Sequence, residues 1–261
     1  MISNPTIDIM LKRKSIRYYM DKSPSDEMVE TIVRAGQQAP FSSQLYSVLL
    51  TRKRERNPFR APLLFTICVD AHKLELIMNR LNWRMVTNDL ALLMFGIQDG
   101  AYLADSMIIA GESLGLGSCL IGNTPFHADR IAKSYGLPKR VFPFLEIAMG
   151  YPKEIPFPRP RYPLDFVLFE DEYPEFDEQH IQDAMTEMDE GFLMQHYYNT
   201  NSMKIPIEDD REELAEYGWC EHTARMWGQW HQSPDRLLDQ MQKCGFSIRR
   251  EMAYSDKDNH M

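Results

Sequence analysis

The stretch Asp99-Gly100-Ala101-Tyr102-Leu103-Ala104-Asp105-Ser106-Met107-Ile108-Ile109-Ala110-Gly111-Glu112-Ser113-Leu114-Gly115-Leu116-Gly117-Ser118-Cys119-Leu120-Ile121-Gly122 decides the fold class. Ala101, Ala104, Met107, Ile108, Gly111 and Leu114 recur at the three- and four-residue spacing of a helix. Leu103, Ile109 and Ala110 widen that stripe until the segment is apolar nearly all round, which predicts a buried helix over 99–115. Gly115 and Gly117 bracket its stop. Ser118–Ile121 then reads as a short strand. The glycines follow a helix and precede a strand. A dinucleotide-binding fingerprint needs the reverse, strand then turn then helix.

Upstream, Leu63-Leu64-Phe65-Thr66-Ile67-Cys68-Val69 is an unbroken apolar run, so 62–69 is expected as a central strand covered on both faces. Tyr46–Thr51 is a second strand, and Phe144–Met149, closed by Gly150-Tyr151-Pro152, a third. Helices are expected at 6–15, after Ser23 as N-cap and Pro24 as first helical residue, and at 125–135 before Gly136-Leu137-Pro138. Gly36 is expected to end the second of these. The run Arg52–Arg60 holds five cations and one acid and reads as a solvated turn. Helices and strands in this order give an α+β or mixed three-layer domain. Past Tyr151, five prolines (Pro152, Pro156, Pro158, Pro160, Pro163) make an extended arm. Residues 170–191 are acidic and are expected to be a solvated bridge. Aromatics return over 192–261. Two parts are therefore expected, 1–170 and a helical extension at 171–261.

In 261 residues, 44% are apolar and 26% charged, which excludes disordered, collagen-like and disulfide-scaffold classes. Net charge is −9, so nucleic acid and anionic membrane are not expected as partners. Four separate cysteines, no CxxC pair and no signal-peptide pattern at the start give the expectation of reduced thiols in a cytoplasm. Seven histidines without ligand spacing give no metal site.

Four segments carry chemistry. Arg13-Lys14-Ser15-Ile16-Arg17 puts three cations and a hydroxyl within five residues. Guanidinium forks and a hydroxyl suit phosphate oxygens. A basic helix end, favoured by the helix dipole, reads the same way. Pro40-Phe41-Ser42-Ser43-Gln44 suits a tight loop, and Gln44 offers donor and acceptor to a heterocycle edge. Cys119 is a nucleophile or, more simply, a small buried hydrophobe. Arg159 and Arg161 alternate on the proline-rich arm as a second phosphate clamp.

The order of these segments resembles the nitroreductase family of FMN-dependent oxidoreductases over about residues 5–170. The motifs that carry it are Arg13-Lys14-Ser15-Ile16-Arg17-Tyr18-Tyr19, Ala39-Pro40 with Ser42-Ser43-Gln44, Gly115–Gly122, Gly150-Tyr151-Pro152 and Arg159-Pro160-Arg161-Tyr162-Pro163-Leu164-Asp165. The resemblance implies a three-layer α/β/α fold with a central, mostly antiparallel sheet. It implies an intertwined homodimer with FMN at the subunit interface. It also implies phosphate and ribityl contacts from Arg13, Lys14, Ser15, Arg17 and Arg161, with Arg159 as the alternative to the last. Pro40, Phe41, Ser42 and Gln44 would face the flavin, and Leu120, Ile121 and Gly122 would lie against its ring. The implied chemistry is ping-pong. Hydride passes from NADH or NADPH to the flavin and on to a nitroaromatic or quinone-like acceptor, with no protein side chain as catalyst. Dehalogenation, flavin breakdown, dehydrogenation or a slow flavin carrier are the other readings. Three departures stand out. Gln44 replaces the family's usual Asn, Leu45-Tyr46-Ser47 replaces Gln-Pro-Trp, and residues 171–261 extend the chain as a lid or dimer-embracing arm.

Overall fold

The computed structural model describes residues 2–200, 203–208, 216–229 and 234–248. Pro156–Ser233 forms one compact unit, and Met1–Ile155 with Pro234–Met261 forms the other.

In the larger unit the chain opens with α1 (Pro5–Lys12), whose Asn4 side chain caps the Ile7 N–H. The helix stops at Lys12 instead of reaching Ser15. Residues beyond it become extended, with bridges from Ser15 to Ser118 and from Tyr19 to Pro152. Helix α2 (Asp26–Gln37) is capped by Ser25, not Ser23. That register puts Asp26 and Glu27 in the first turn, where the helix dipole favours acids. Gly36 lies inside the helix rather than ending it. A Cβ there would come within 2.5 Å of Met107 Cγ and 3.1 Å of the Leu103 carbonyl, so glycine permits the close approach of two helices.

Strands β1 (Tyr46–Thr51) and β2 (Leu63–Asp70) follow. Next come α3 (Ala71–Arg80), α4 (Asp89–Ser113), β3 (Gly117–Ile121), α5 (Ala128–Tyr135) and β4 (Val141–Gly150). The sheet order is β1-β2-β4-β3, antiparallel throughout. β2 is buried at all eight positions, as a strand with neighbours on both sides and layers on both faces must be. α4 and α2 cover one face, joining Ile32, Leu103, Met107 and Ile108 to Phe65, Ile67, Ile147 and Met149 in one core. On the other face, Ile16, Tyr19, Ala61, Leu64, Cys119 and Ala148 form a second cluster. Each fully buried aliphatic or aromatic side chain contributes about 1.5–3 kcal/mol relative to exposure.

α4 runs 25 residues, ten more turn-forming positions upstream than its clear stripe predicts. Its first half carries Gly96 and Gly100, where the sheet comes too close for a side chain. A Cβ at Gly96 would meet Val69 Cγ1 at 2.4 Å. By length and composition alone α4 could cross a membrane; half of its most apolar stretch is buried within the protein. α3 was not legible in the sequence pattern. It begins where Asp70, the last residue of β2, caps the Lys73 N–H.

The smaller unit holds the proline-rich arm, α6 (Glu178–Met194), α7 (Tyr197–Thr200) and α8 (Trp219–Gly228). The acidic stretch is therefore not a solvated bridge. From Glu178 it is an amphipathic helix that buries Ala184, Met188 and Phe192 at four-residue spacing. Phe192, Tyr198 and Tyr217 join Met188 in this unit's own core. Leu214, Trp230 and His231, which extend the aromatic helical pattern in the sequence, lie outside the described residues. α9 (Pro234–Lys243) belongs to the larger unit, where Cys244 and Phe246 enter its core.

Candidate functional site

Two parts of the larger unit, together with the end of β3, hold the sequence-predicted residues between Arg13 and Gly122, whereas Arg159 and Arg161 belong to the smaller unit. The first is the extended strip after α1. The Ile16 N–H donates to the Ser118 carbonyl at 2.8 Å, which ties the strip to β3. The Tyr19 hydroxyl sits 2.6 Å from the Ile16 carbonyl and 3.1 Å from that of Ala148. Burial pushes that phenol well above its ordinary range. The carboxylate of Glu154 accepts from the N–H groups of both Arg17 and Tyr18. Alternation along the strip turns Ile16 into the second core cluster. Ser15, Arg17 and Arg13 face Cys119, whose thiol is pushed up by burial and drawn down by Arg17, the Ser15 hydroxyl and Arg13. Cys119 is thus the buried small residue, at 3% exposure.

Polar atoms on and beside this strip go unsatisfied among the described residues. Arg13 Nη1, Glu112 Oε1 of α4 and Ser118 Oγ of β3 are shielded from solvent and have no hydrogen-bond partner there. Burial pushes the Glu112 carboxyl up, and Arg13 and Lys14 pull it down. Buried polar groups without partners are costly, about 1–3 kcal/mol each. A guanidinium nitrogen shielded from water, with a second Arg and a hydroxyl beside it, suits an anionic oxygen.

The second part is the loop between α2 and β1. Pro40, Phe41, Ser42, Ser43 and Gln44 are all exposed. Gln44 adopts φ 51°, the left-handed region. The carboxylate of Asp99, on α4, accepts from the backbone N–H groups of Ser42 (2.6 Å), Ser43 (3.1 Å) and Leu45 (3.0 Å). Asp99 and Glu112 are 13 residues apart on α4, which at 1.5 Å per residue separates the loop's anchor from the strip by about 20 Å. At the end of β3, Leu120 is exposed, Ile121 half-buried and Gly122 exposed, with no atom within 4 Å of where a Gly122 Cβ would stand.

The two arginines of the arm differ, contrary to the expectation of parallel guanidinium groups. Arg159 lies 3.7 Å from the centroid of Tyr197 and donates to Gln195 Oε1. Arg161 is exposed and, among the described residues, donates to the carbonyls of Arg159 and Pro160, at 3.0 and 2.8 Å. Arg161 is the one with its fork turned outward. The other basic run is committed elsewhere, with Arg52 paired to Asp26 and Arg54 to Asp21. Asp99 and Glu154 are the residues that sequence reading missed. Each acts on backbone 54 or more positions away.

The chain matches the family model described as Nitroreductase family over residues 10–151, and its C-terminal domain model over 159–249. It is 29% identical over 205 residues to an FMN reductase [NAD(P)H] of Bacillus subtilis, covering 72% of this chain and 82% of the relative. It is 28% identical over 226 residues to an NADPH-flavin oxidoreductase of Vibrio harveyi, covering 81% and 90%. The solved structure of NfrA2 from B. megaterium superposes with a TM-score of 0.79 at 25% identity, covering 95% of this chain and all of that one. With the antiparallel sheet, the basic strip and the α2–β1 loop in the order that its motifs require, the chain belongs to the nitroreductase family.

Proposed function

We propose that this protein is an FMN-dependent NAD(P)H oxidoreductase that reduces small planar acceptors, nitroaromatic or quinone-like. The observation that carries the reading is the shielded Arg13 guanidinium nitrogen, without a partner among the described residues, beside Ser15 and Arg17. Arg13, Lys14, Ser15 and Arg17 would hold the FMN phosphate and ribityl chain. Of the two arginines on the arm, Arg161 is the better candidate for a phosphate contact, because the fork of Arg159 is engaged by Gln195 and Tyr197. Pro40, Phe41, Ser42 and Gln44 would face the flavin. Leu120, Ile121 and Gly122 would form a floor for the ring, with Gly122 admitting close approach because it has no side chain. Bound FMN supplies the hydride chemistry between reduced nicotinamide and acceptor. The protein's part would be to anchor one end and read the other. The FMN reductase and flavin oxidoreductase names of the relatives support this assignment.

The purified protein is expected to show flavin absorption bands near one flavin per chain, and to oxidise NADH or NADPH with turnover that depends on a nitroaromatic or quinone. Flavin that dithionite reduces but neither nicotinamide does would instead support the carrier reading.

The active form in this proposal is a homodimer. Leu76 and Ile77 on α3 and Leu90, Met94, Phe95 and Tyr102 on α4 are exposed apolar side chains. So many on two consecutive helices support an association surface there. Light scattering at micromolar concentration should give twice 30.6 kDa. Phe95→Glu should shift the mass toward the monomer and release flavin. A wild-type mass near 31 kDa would remove the dimer from the proposal.

A further inference from the structure

Asp99 is 1% exposed, in the middle of the longest helix. Among the described residues its hydrogen-bond partners are three backbone N–H groups, and no cation is among them. Burying a carboxylate is strongly unfavourable unless its charge is met by donors. Here every donor comes from one four-residue stretch, 42–45. The carboxylate therefore fixes that stretch.

The pattern of its partners is selective. Of the amides from 42 to 45, only that of Gln44 is not turned toward Asp99. The Gln44 carbonyl accepts from the Tyr46 N–H at 2.8 Å, which starts β1. Gln44 is left in the left-handed region at φ 51°, with its side chain exposed. For a residue other than Gly, Asn or Asp that conformation costs roughly 1–2 kcal/mol, and it persists only where neighbours hold it.

We infer that Asp99 is a positioning residue for flavin recognition: it turns the Ser42, Ser43 and Leu45 amides inward and holds Gln44 left-handed, leaving Gln44 as the loop's recognition group for the flavin ring. The inference rests on the FMN reading above. It separates the two ends of the ligand. Asp99 acts on the ring end, and the strip at Arg13–Arg17 acts on the phosphate end. Asn at position 99 would keep one acceptor oxygen but set an NH₂ group against a backbone N–H, so the loop would loosen.

The test is titration of the flavin-free full chain with FMN and with riboflavin, followed by flavin fluorescence. Four proteins are compared: wild type, Asp99→Asn, Gln44→Asn and the double variant. Asp99→Asn should raise both dissociation constants by the same factor, roughly tenfold or more. Asn enters the left-handed region more readily than Gln. In the Gln44→Asn background the effect of Asp99→Asn should therefore shrink at least threefold, a coupling that general loss of stability would not produce. Hydrogen exchange on the wild type needs no variant: amides 42, 43 and 45 should be protected and amide 44 fast. Unchanged affinities in Asp99→Asn, an effect on FMN but not riboflavin, equal effects in both backgrounds, or unprotected amides at 42, 43 and 45 would each overturn the inference while leaving the FMN reading standing. A wild-type chain that binds neither flavin overturns both.

Discussion

Arg17→Ala is expected to weaken FMN binding roughly tenfold to a hundredfold while leaving riboflavin binding within about twofold. One charge-assisted hydrogen bond is worth about 1.5–3 kcal/mol, and each 1.4 kcal/mol is about tenfold. Arg17 is suited to this because its backbone is already fixed. Glu154 takes its N–H, and Ile16 is locked into the core behind it. Truncating the side chain therefore removes a ligand contact without unmooring the strip. Arg13→Ala should weaken FMN at least as much and also lower stability, since Arg13 is the first cation offsetting the half-buried Glu112. Arg52→Ala is the control. Its partner Asp26 is fully solvated, and an exposed pair of this kind contributes about 0–1 kcal/mol. FMN and riboflavin titrations of the three variants decide the matter. Equal losses for FMN and riboflavin in Arg17→Ala would mean that the strip does not hold the phosphate, and an effect from Arg52 would point to the wrong basic cluster.

The strip was legible because its chemistry lies in consecutive residues. Arg13, Ser15 and Arg17 alternate, so once the backbone is extended they share a side. The sheet was legible for the same reason. β2 is an apolar run, and burial at every position follows from that alone. What the sequence hides is long-range satisfaction of polar groups. Asp99 reads as one acid in an apolar helix until three amides from another segment are seen to converge on it. Glu154 reads as part of a proline-rich exit, yet it caps amides 136 and 137 positions earlier. The register errors have a similar origin. Ser23 and Ser25 are equally good caps on paper, and the choice falls to the one that places two acids in the first turn. Gly36 reads as a stop, but its role is set by Met107 on another helix. Arg159 and Arg161 cannot be told apart by spacing. Tyr197 and Gln195, which take up Arg159, lie more than 30 residues on.

The end of the chain carries the largest expected stability effect. Composition suggests an appendage from residue 171 that could be removed to test for a lid. The structure assigns its last described part to the core of the larger unit. Phe246, 1% exposed, packs edge-on against Phe142 with ring centroids 6.3 Å apart. The Arg140 guanidinium lies 4.8 Å from the Phe246 ring and pairs with Glu75 and Asp89. The Arg140 N–H donates to the Cys244 carbonyl at 2.8 Å, and the Ser247 N–H to Asp89. Phe246→Ala deletes a buried aromatic ring, a change that costs about 3–5 kcal/mol. At about 2–4 °C per kcal/mol for a chain of this size, the melting temperature should fall by roughly 10 °C. Truncation after Glu170 removes the same ring, α9 and the carbonyl partner of Arg140 together, so the truncated chain should not fold cooperatively. Loss of flavin from it would then report unfolding and say nothing about a lid. Removal of α6 to α8 with α9 and Phe246 kept is the informative deletion. Thermal melts of Phe246→Ala and of the chain cut after Glu170 test the point. A cut chain that melts with the wild type would show that residues 234–248 are dispensable and that the core closes without Phe246.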